Sequence, residues 1–341
     1  MQIYANPHRG NASAIAVPSD TPYPSDDLQR PVALISTWPE AGVTALQSVP
    51  GLAPVAHLDV KDERTRMGLG SFKALGAAYV IGCDAAAGRA AGQTYVTASA
   101  GNHGLSVAFG AQSFGAKAVI YISNTVPEGF AERLRARGAE VRREGDIYED
   151  SMAAAARAAE DNNWQLLSDS SWEGYYERPH RLMEGYLTLM SEVFDQIEEM
   201  PSHIFLQAGV GGLATACAVA ARAEWGDGPT IIVVEPEAAP ALLASVQAGK
   251  SVIASGPVSC MGRLDCKEPS LIALKGLARD ADWFCTISEE DAQDAMATLA
   301  QAGLATTPSG GAGVVALMRA DGRFGLSETS RVLCILSEAP E

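Results

Sequence analysis

The chain has little positive charge, few aromatic residues, no closely paired cysteines and no long apolar run. Of its 341 residues, 25 are Lys or Arg and 41 are Asp or Glu, a formal net charge of −16. Such a surface repels phosphate backbones and anionic lipid, which argues against a large nucleic-acid interface. The main basic concentration, Arg133, Arg135, Arg137, Arg142 and Arg143, is interleaved with Glu132, Glu140 and Glu144 and reads as a solvated helix face followed by a strand. The cysteines at 83, 217, 260, 266, 285 and 334 form no C-x-x-C pair, so neither a zinc site nor a disulfide framework is expected, and no metal ligand set is assigned. No apolar stretch approaches the roughly 20 residues of a membrane span. Residues 1–31 lack the charged start and apolar run of a secretory signal. The expectation is a soluble, cytoplasmic protein with neither nucleic-acid nor membrane partners.

What is present is an alternation. Short apolar runs at 55–60, 94–98, 118–122, 140–143, 203–208, 230–235, 283–287 and 331–336 read as strands. Between them lie helix-like stretches at 70–83, 103–114, 127–137, 148–162, 178–197, 213–224, 238–248, 289–301 and 310–320. Strands alternating with helices predict an α/β fold: parallel-rich sheets with helices on both faces. Residues 79–186 read as a βαβ block inserted into a second sheet, giving two domains, 79–186 and 1–78 with 187–341. In such sheets ligands sit beyond the carboxyl ends of strands, so the loops that follow strands are where chemistry is expected.

Three such places stand out. Gln207-Ala208-Gly209-Val210-Gly211-Gly212-Leu213 joins an apolar strand to a helix. Its glycines allow close backbone approach and the helix start offers free N–H groups, which suits a phosphate; a tight strand-to-helix turn is the alternative. It lacks the Lys-Ser/Thr of a nucleotide loop and the spaced dinucleotide fingerprint. Ser99-Ala100-Gly101-Asn102-His103-Gly104 follows another strand, and its small residues suit a nest for a carboxylate. Asn102 has an amide to offer an aromatic hydroxyl, and His103 reads as orienting or catalytic. Lys73, in Ser71-Phe72-Lys73-Ala74, sits near the start of an apolar helix. Alone it reads as a snorkelling surface residue, yet burial and the positive helix end would both lower its pKa, as a Schiff-base lysine requires. A phosphate cradle, a carboxylate nest with an amide and such a lysine are together what a pyridoxal phosphate enzyme of amino acids needs.

The order S-F-K, S-A-G-N-H-G and glycine loop resembles the fold type II pyridoxal phosphate enzymes, the tryptophan synthase β-subunit-like superfamily, over residues 43–337. Within it the chain is most similar to the diaminopropionate ammonia-lyases. Four stretches carry that likeness: Asp62 to Lys73, the D-x-x-W-E-G-Y of Asp169 to Tyr175, Q-A-G-V-G-G-L at 207–213, and Met261 to Pro269, which resembles M-x-G-L-x-C-x-E-P.

The resemblance implies roles. Lys73 would carry pyridoxal phosphate covalently and, once freed, remove the Cα proton of a small amino-acid substrate. Asn102 would contact the cofactor's 3-hydroxyl, the backbone of Ala208, Gly209, Val210, Gly211, Gly212 and Leu213 its phosphate, and Ser337 its pyridine nitrogen. A hydroxyl there need not keep that nitrogen protonated, which suits rapid loss of a β-substituent. Ser99, Ala100, Gly101, Asn102 and His103 would hold the substrate carboxylate, and Asp169 would orient the departing β-ammonium. The implied reaction is α,β-elimination of ammonia from 2,3-diaminopropionate, giving pyruvate and ammonia, by a homodimer.

Ala100 departs from the T-D-G-N-H-G of relatives that act on both enantiomers, which points to the L-isomer. The same S-A-G-N-H-G is that of serine and threonine dehydratases. The alternatives are therefore a dehydratase of a β-hydroxy amino acid such as serine, threonine, hydroxyaspartate or phenylserine, or a β-replacement synthase. Racemisation is disfavoured, because Ala100 stands where serine racemases place a second base. Thr307-Pro308-Ser309-Gly310-Gly311 is expected along the cofactor's edge.

Overall fold

The short apolar runs become buried strands in the computed structural model, which describes residues 1–11, 13 and 15–340. In chain order the strands are β1 (Ile3–Ala5), β2 (Leu46–Ser48), β3 (His57–Asp62), β4 (Thr94–Ala98), β5 (Lys117–Ile122), β6 (Glu140–Arg143), β7 (Gln165–Leu166), β8 (His203–Gln207), β9 (Thr230–Pro236), β10 (Trp283–Ile287) and β11 (Arg331–Leu336). They form two sheets. One has seven strands in the order β1-β10-β9-β8-β11-β3-β2, parallel except for its two outermost members. The other has four parallel strands in the order β6-β5-β4-β7. Strands buried on both faces carry continuous Val, Ile and Leu rather than an alternating pattern, as in Ile231 to Val234 and Val332 to Leu336.

Helices are placed by small residues. The helix Gly212–Trp225 buries Leu213, Cys217, Val219 and five alanines at 214, 216, 218, 220 and 221, and packs against β8 and the helices Glu177–Gln196 and Leu271–Asp280. Its fully covered aliphatic side chains contribute about 1.5–3 kcal/mol each. Gly104 lets the helix Asn102–Ser113 rise steeply from β4: a Cβ there would lie 2.2 Å from the Ser99 carbonyl oxygen.

The helix expected over 70–83 is divided. Ser71 caps a 3-10 turn, Phe72–Leu75, by accepting from the Lys73 N–H at 3.3 Å, and the α-helix begins only at Ala77. Between them Gly76 leaves helical geometry, with φ −82° and ψ −81°, and a Cβ there would lie 2.7 Å from Cε1 of Tyr186. The aromatic ring fills the place a regular helix would need. Lys73 therefore rides on a short capped turn, outside the first turn of an α-helix.

The strands of the smaller sheet all fall within 94–166. Both expected domain boundaries, at 78/79 and 186/187, fall inside helices, Ala77–Ala86 and Glu177–Gln196. No helix among the described residues is long and apolar enough to cross a membrane.

Candidate active site

Lys73 and Asp169 meet although they are 96 residues apart. The Lys73 Nζ donates to Asp169 Oδ2, and each side chain is about one-fifth exposed. Burial on its own would lower the lysine pKa. The adjacent Asp169 carboxylate outweighs it and holds the ammonium above the usual lysine range, with Tyr186 and Cys266 also acting on it. The expected depressed lysine is thus corrected for this state: the opposing charge is too close. Asp169 answers in kind, held well below the usual carboxylate range by Lys73 against the pull of burial.

The loop carrying Asp169 is pinned at both ends. Leu167 N–H donates to the Val96 carbonyl at 2.9 Å, and the Tyr175 hydroxyl donates to Leu166 O at 2.8 Å while accepting from Ser168 N–H at 3.1 Å. Beyond the aspartate, Ser171 Oγ lies 2.7 Å from Ser270 Oγ and accepts from the Ile272 N–H at 3.0 Å. Trp172 and Tyr175 stack with centroids 4.3 Å apart, which closes the hairpin. The W-E-G-Y residues thus set the shape of the loop that presents Asp169.

His103 is buried, and its Nε2 lies 2.8 Å from the Leu167 carbonyl, which fixes Nε2 as the protonated nitrogen. Burial lowers its pKa, so the ring is neutral. The contact ties the Asn102–Ser113 helix to the loop that carries Asp169. The nest that precedes it is open: Ser99 Oγ accepts from Gly101 N–H at 3.3 Å, while the N–H groups of Asn102, His103 and Gly104 meet no backbone carbonyl among the described residues.

The glycine loop is equally open. From Gly209 to Leu213 the N–H groups meet no backbone carbonyl among the described residues, and they converge on the start of the Gly212–Trp225 helix. Gly211 has φ +99°, which a side chain rarely tolerates, and a Cβ on it would lie 2.9 Å from Ala273 Cβ. Gly209 is covered by the 263–266 segment: its Cβ would lie 3.0 Å from Cys266 Sγ and 3.1 Å from Leu264 Cα. The Cys266 thiol is pushed up to about 12 by burial, which favours its protonated form.

Ser337 follows β11. Its carbonyl accepts from Phe72 N–H at 3.1 Å, and its own N–H donates to Gly310 O at 3.2 Å, so the strand end, the lysine turn and the Thr307–Gly311 segment adjoin. Four contributors escaped the sequence reading. Glu338 is buried, accepts hydrogen bonds from Asn102 and Thr307, and forms an ion pair with Arg263. Tyr186 presents a buried hydroxyl with no partner among the described residues, beside Lys73 and edge-on to Phe72. Arg263 lies against Gly101. Tyr148 lies in the charge field of Asp169, Cys266 and Lys73. Glu338 had a signal in its place at a strand's carboxyl end and Arg263 in the Met261–Pro269 stretch, whereas helix periodicity says nothing of what Tyr186 faces.

A group with a phosphate monoester, a carbonyl and a ring hydroxyl fits these residues. It would find free N–H groups at a helix start, an amine, an amide and an unpartnered phenol around one cleft. Among the described residues no set of three His, Cys, Asp or Glu side chains converges to hold a metal ion.

Comparison with known proteins agrees with this geometry. A family model described as pyridoxal-phosphate dependent enzyme matches residues 37–338. A diaminopropionate ammonia-lyase of Salmonella typhimurium is 34% identical over 284 residues, covering 74% of this chain and 70% of the relative. One from Escherichia coli is 32% identical over 276 residues, covering 75% and 68%. The crystal structure of diaminopropionate ammonia-lyase from Escherichia coli, in complex with an aminoacrylate–PLP azomethine reaction intermediate, matches with a TM-score of 0.86 at 25% identity, covering 99% of this chain and 93% of that one.

Proposed function

The chain belongs to the pyridoxal-phosphate dependent enzymes, and from that premise we propose that it eliminates ammonia from 2,3-diaminopropionate, taking the L-isomer and yielding pyruvate and ammonia. The observation that carries the reading is the Lys73–Asp169 contact: one amine and one carboxylate in a shared cleft, in a chain 34% identical to a diaminopropionate ammonia-lyase. When bound, the cofactor supplies an electrophilic carbonyl for the substrate amine and a ring that draws electrons from Cα.

The chain's residues do the rest. The open N–H groups of the Ser99–His103 segment receive the substrate carboxylate, and those of Gly209 to Leu213 the cofactor phosphate. Ser337 would face the pyridine nitrogen and Asn102 the ring hydroxyl. A β-ammonium seated on Asp169 replaces Lys73 as that carboxylate's counter-charge. Burial then lowers the Lys73 pKa with its main opponent gone and favours a neutral amine to take the Cα proton. The substrate loses its β-amino group as ammonia. The released aminoacrylate takes up water and sheds its second nitrogen as ammonia, leaving pyruvate.

Residues 79–186 form the substrate-carboxylate domain in this reading, and 1–78 with 187–341 the cofactor-binding domain. A cytoplasmic homodimer is part of the proposal. The free thiols of all six cysteines support a reducing compartment, and Ile253 and Val258, 74% and 88% exposed on one loop, offer apolar surface for a second subunit.

One observation favours a second reading, a dehydratase of β-hydroxy amino acids. Residue 100 is alanine, which gives the S-A-G-N-H-G of serine and threonine dehydratases in place of a carboxylate before Gly101. The test is to give holoenzyme L-2,3-diaminopropionate, D-2,3-diaminopropionate, L-serine and L-threonine separately, following pyruvate or 2-oxobutyrate and ammonia. Fast turnover of the L-diamino acid is expected. Faster turnover of L-serine or L-threonine overturns the lyase reading for the dehydratase, and equal use of the D-isomer overturns the stereochemical part.

A further inference from the structure

The Glu338 carboxylate, 4% exposed, stands one residue past Ser337 and gathers donors from three separate segments. Asn102 Nδ2 donates to Oε2 at 2.6 Å, Arg263 Nε lies 2.9 Å from the same oxygen, and the Thr307 hydroxyl donates to Oε1. The Glu338 carbonyl accepts from Thr306 Oγ1 at 2.6 Å. A Cβ on Gly310 would lie 2.9 Å from Glu338 Cγ, so the glycine there leaves the space this side chain occupies.

We infer that Glu338 is a positioning residue that fixes Asn102 as a hydrogen-bond donor toward the cofactor ring. An asparagine amide has an accepting edge and a donating edge, and a half-turn exchanges them. An ionised carboxylate only accepts. With Glu338 on one side, Nδ2 must face it, and the second N–H of the same nitrogen is left for an oxygen on the ring. Arg263 Nε, 2.9 Å from the shared Oε2, sets a cation against the carboxylate. The inference rests on the placement of Asn102 at the ring hydroxyl proposed above.

The test titrates apoenzyme, made by stripping holoenzyme, with pyridoxal phosphate while following the visible absorbance band. Glu338→Met, which keeps length and loses the acceptor, is expected to weaken cofactor binding about tenfold or more and to shift the band. Glu338→Gln, which keeps an accepting oxygen, is expected to restore binding to within about threefold of the unaltered protein. In an Asn102→Ala background Glu338→Met should add nothing, because its effect runs through that amide. An unchanged band and Kd in Glu338→Met, no rescue by Gln, or losses that add in the double variant would each overturn the inference. A merely structural Glu338 would lower the apoprotein melting temperature and leave band and Kd unmoved. If Glu338→Met does not fold, Thr307→Val removes one donor to the carboxylate: a weakened Kd that vanishes in the Asn102→Ala background supports the inference, and an unchanged Kd overturns it. Unimpaired binding and an unmoved band in Asn102→Ala alone would instead overturn the placement of Asn102.

Discussion

Asp169 accepts a hydrogen bond from the ammonium of Lys73 across 96 residues of chain, and each group sets the charge state of the other. Since the lysine pKa is raised by that carboxylate, the ammonium persists through neutral pH in the protein without its cofactor. Uptake of an aldehyde needs the neutral amine, which appears only as pH rises toward the raised value.

Asp169→Asn removes the counter-charge and leaves burial to lower the lysine pKa. The pH profile for pyridoxal phosphate uptake by apoprotein is therefore expected to move to lower pH by about a unit or more. The elimination rate of the loaded variant should fall about a hundredfold or more. Stopped-flow absorbance over a pH series checks the first point, and a profile coincident with the unaltered protein's would show that the two groups are uncoupled.

Gly211→Ala forces a side chain into φ +99° and to 2.9 Å from Ala273 Cβ. The expected cost is about 1–3 kcal/mol of stability. Pyridoxal phosphate should bind more weakly, whereas pyridoxal, which has no phosphate, should lose little. Parallel titrations with the two compounds decide it: equal losses would mean that the loop does not hold the phosphate.

Arg66→Met breaks a buried cluster. Arg66, 1% exposed, donates to Glu63 Oε1 at 2.7 Å and to Glu192 Oε1 and Oε2 at 2.6 and 2.7 Å, with Lys61 also 2.7 Å from Glu192. Removing the guanidinium strands the Glu63 carboxylate without its cation, at an expected cost of about 3–5 kcal/mol. Urea unfolding measures it, and a loss under about 1 kcal/mol would mean that the cluster relaxes around the gap.

Much of this architecture is legible because its central strands are continuous apolar runs. Thr94–Ala98, Trp283–Ile287 and Arg331–Leu336 have the bounds expected of them, as does the charged edge strand Glu140–Arg143. Ile3–Ala5, Leu46–Ser48 and Gln165–Leu166 are too short to show any period, and their pairing is set by neighbours distant in sequence. The helices Gln29–Ile35 and Leu271–Asp280 likewise escaped, the first interrupted by a proline and the second following a Pro-Ser pair that reads as loop. Motif spacing located Lys73, the nest, the glycine loop and Asp169. It misjudged the charge environment of Lys73, because the decisive partner comes from the other end of the smaller sheet. Glu338 and Tyr186 lie outside any motif, and their roles depend on packing that no local pattern encodes.

The anchoring of the Asp169 loop has one more consequence. Two residues before the aspartate, Leu167 is bonded to Val96 in the four-stranded sheet; two residues after it, Ser171 is bonded to Ser270, whose N–H in turn holds the Val210 carbonyl beside the seven-stranded sheet. The segment works as a tether of fixed length strung between the sheets, since an extended residue spans at most about 3.6 Å. Any parting of the sheets draws on that tether and pulls the carboxylate away from Lys73. The reach of residues 167–171 thus ties the meeting of the acid and the amine to the spacing between the two sheets.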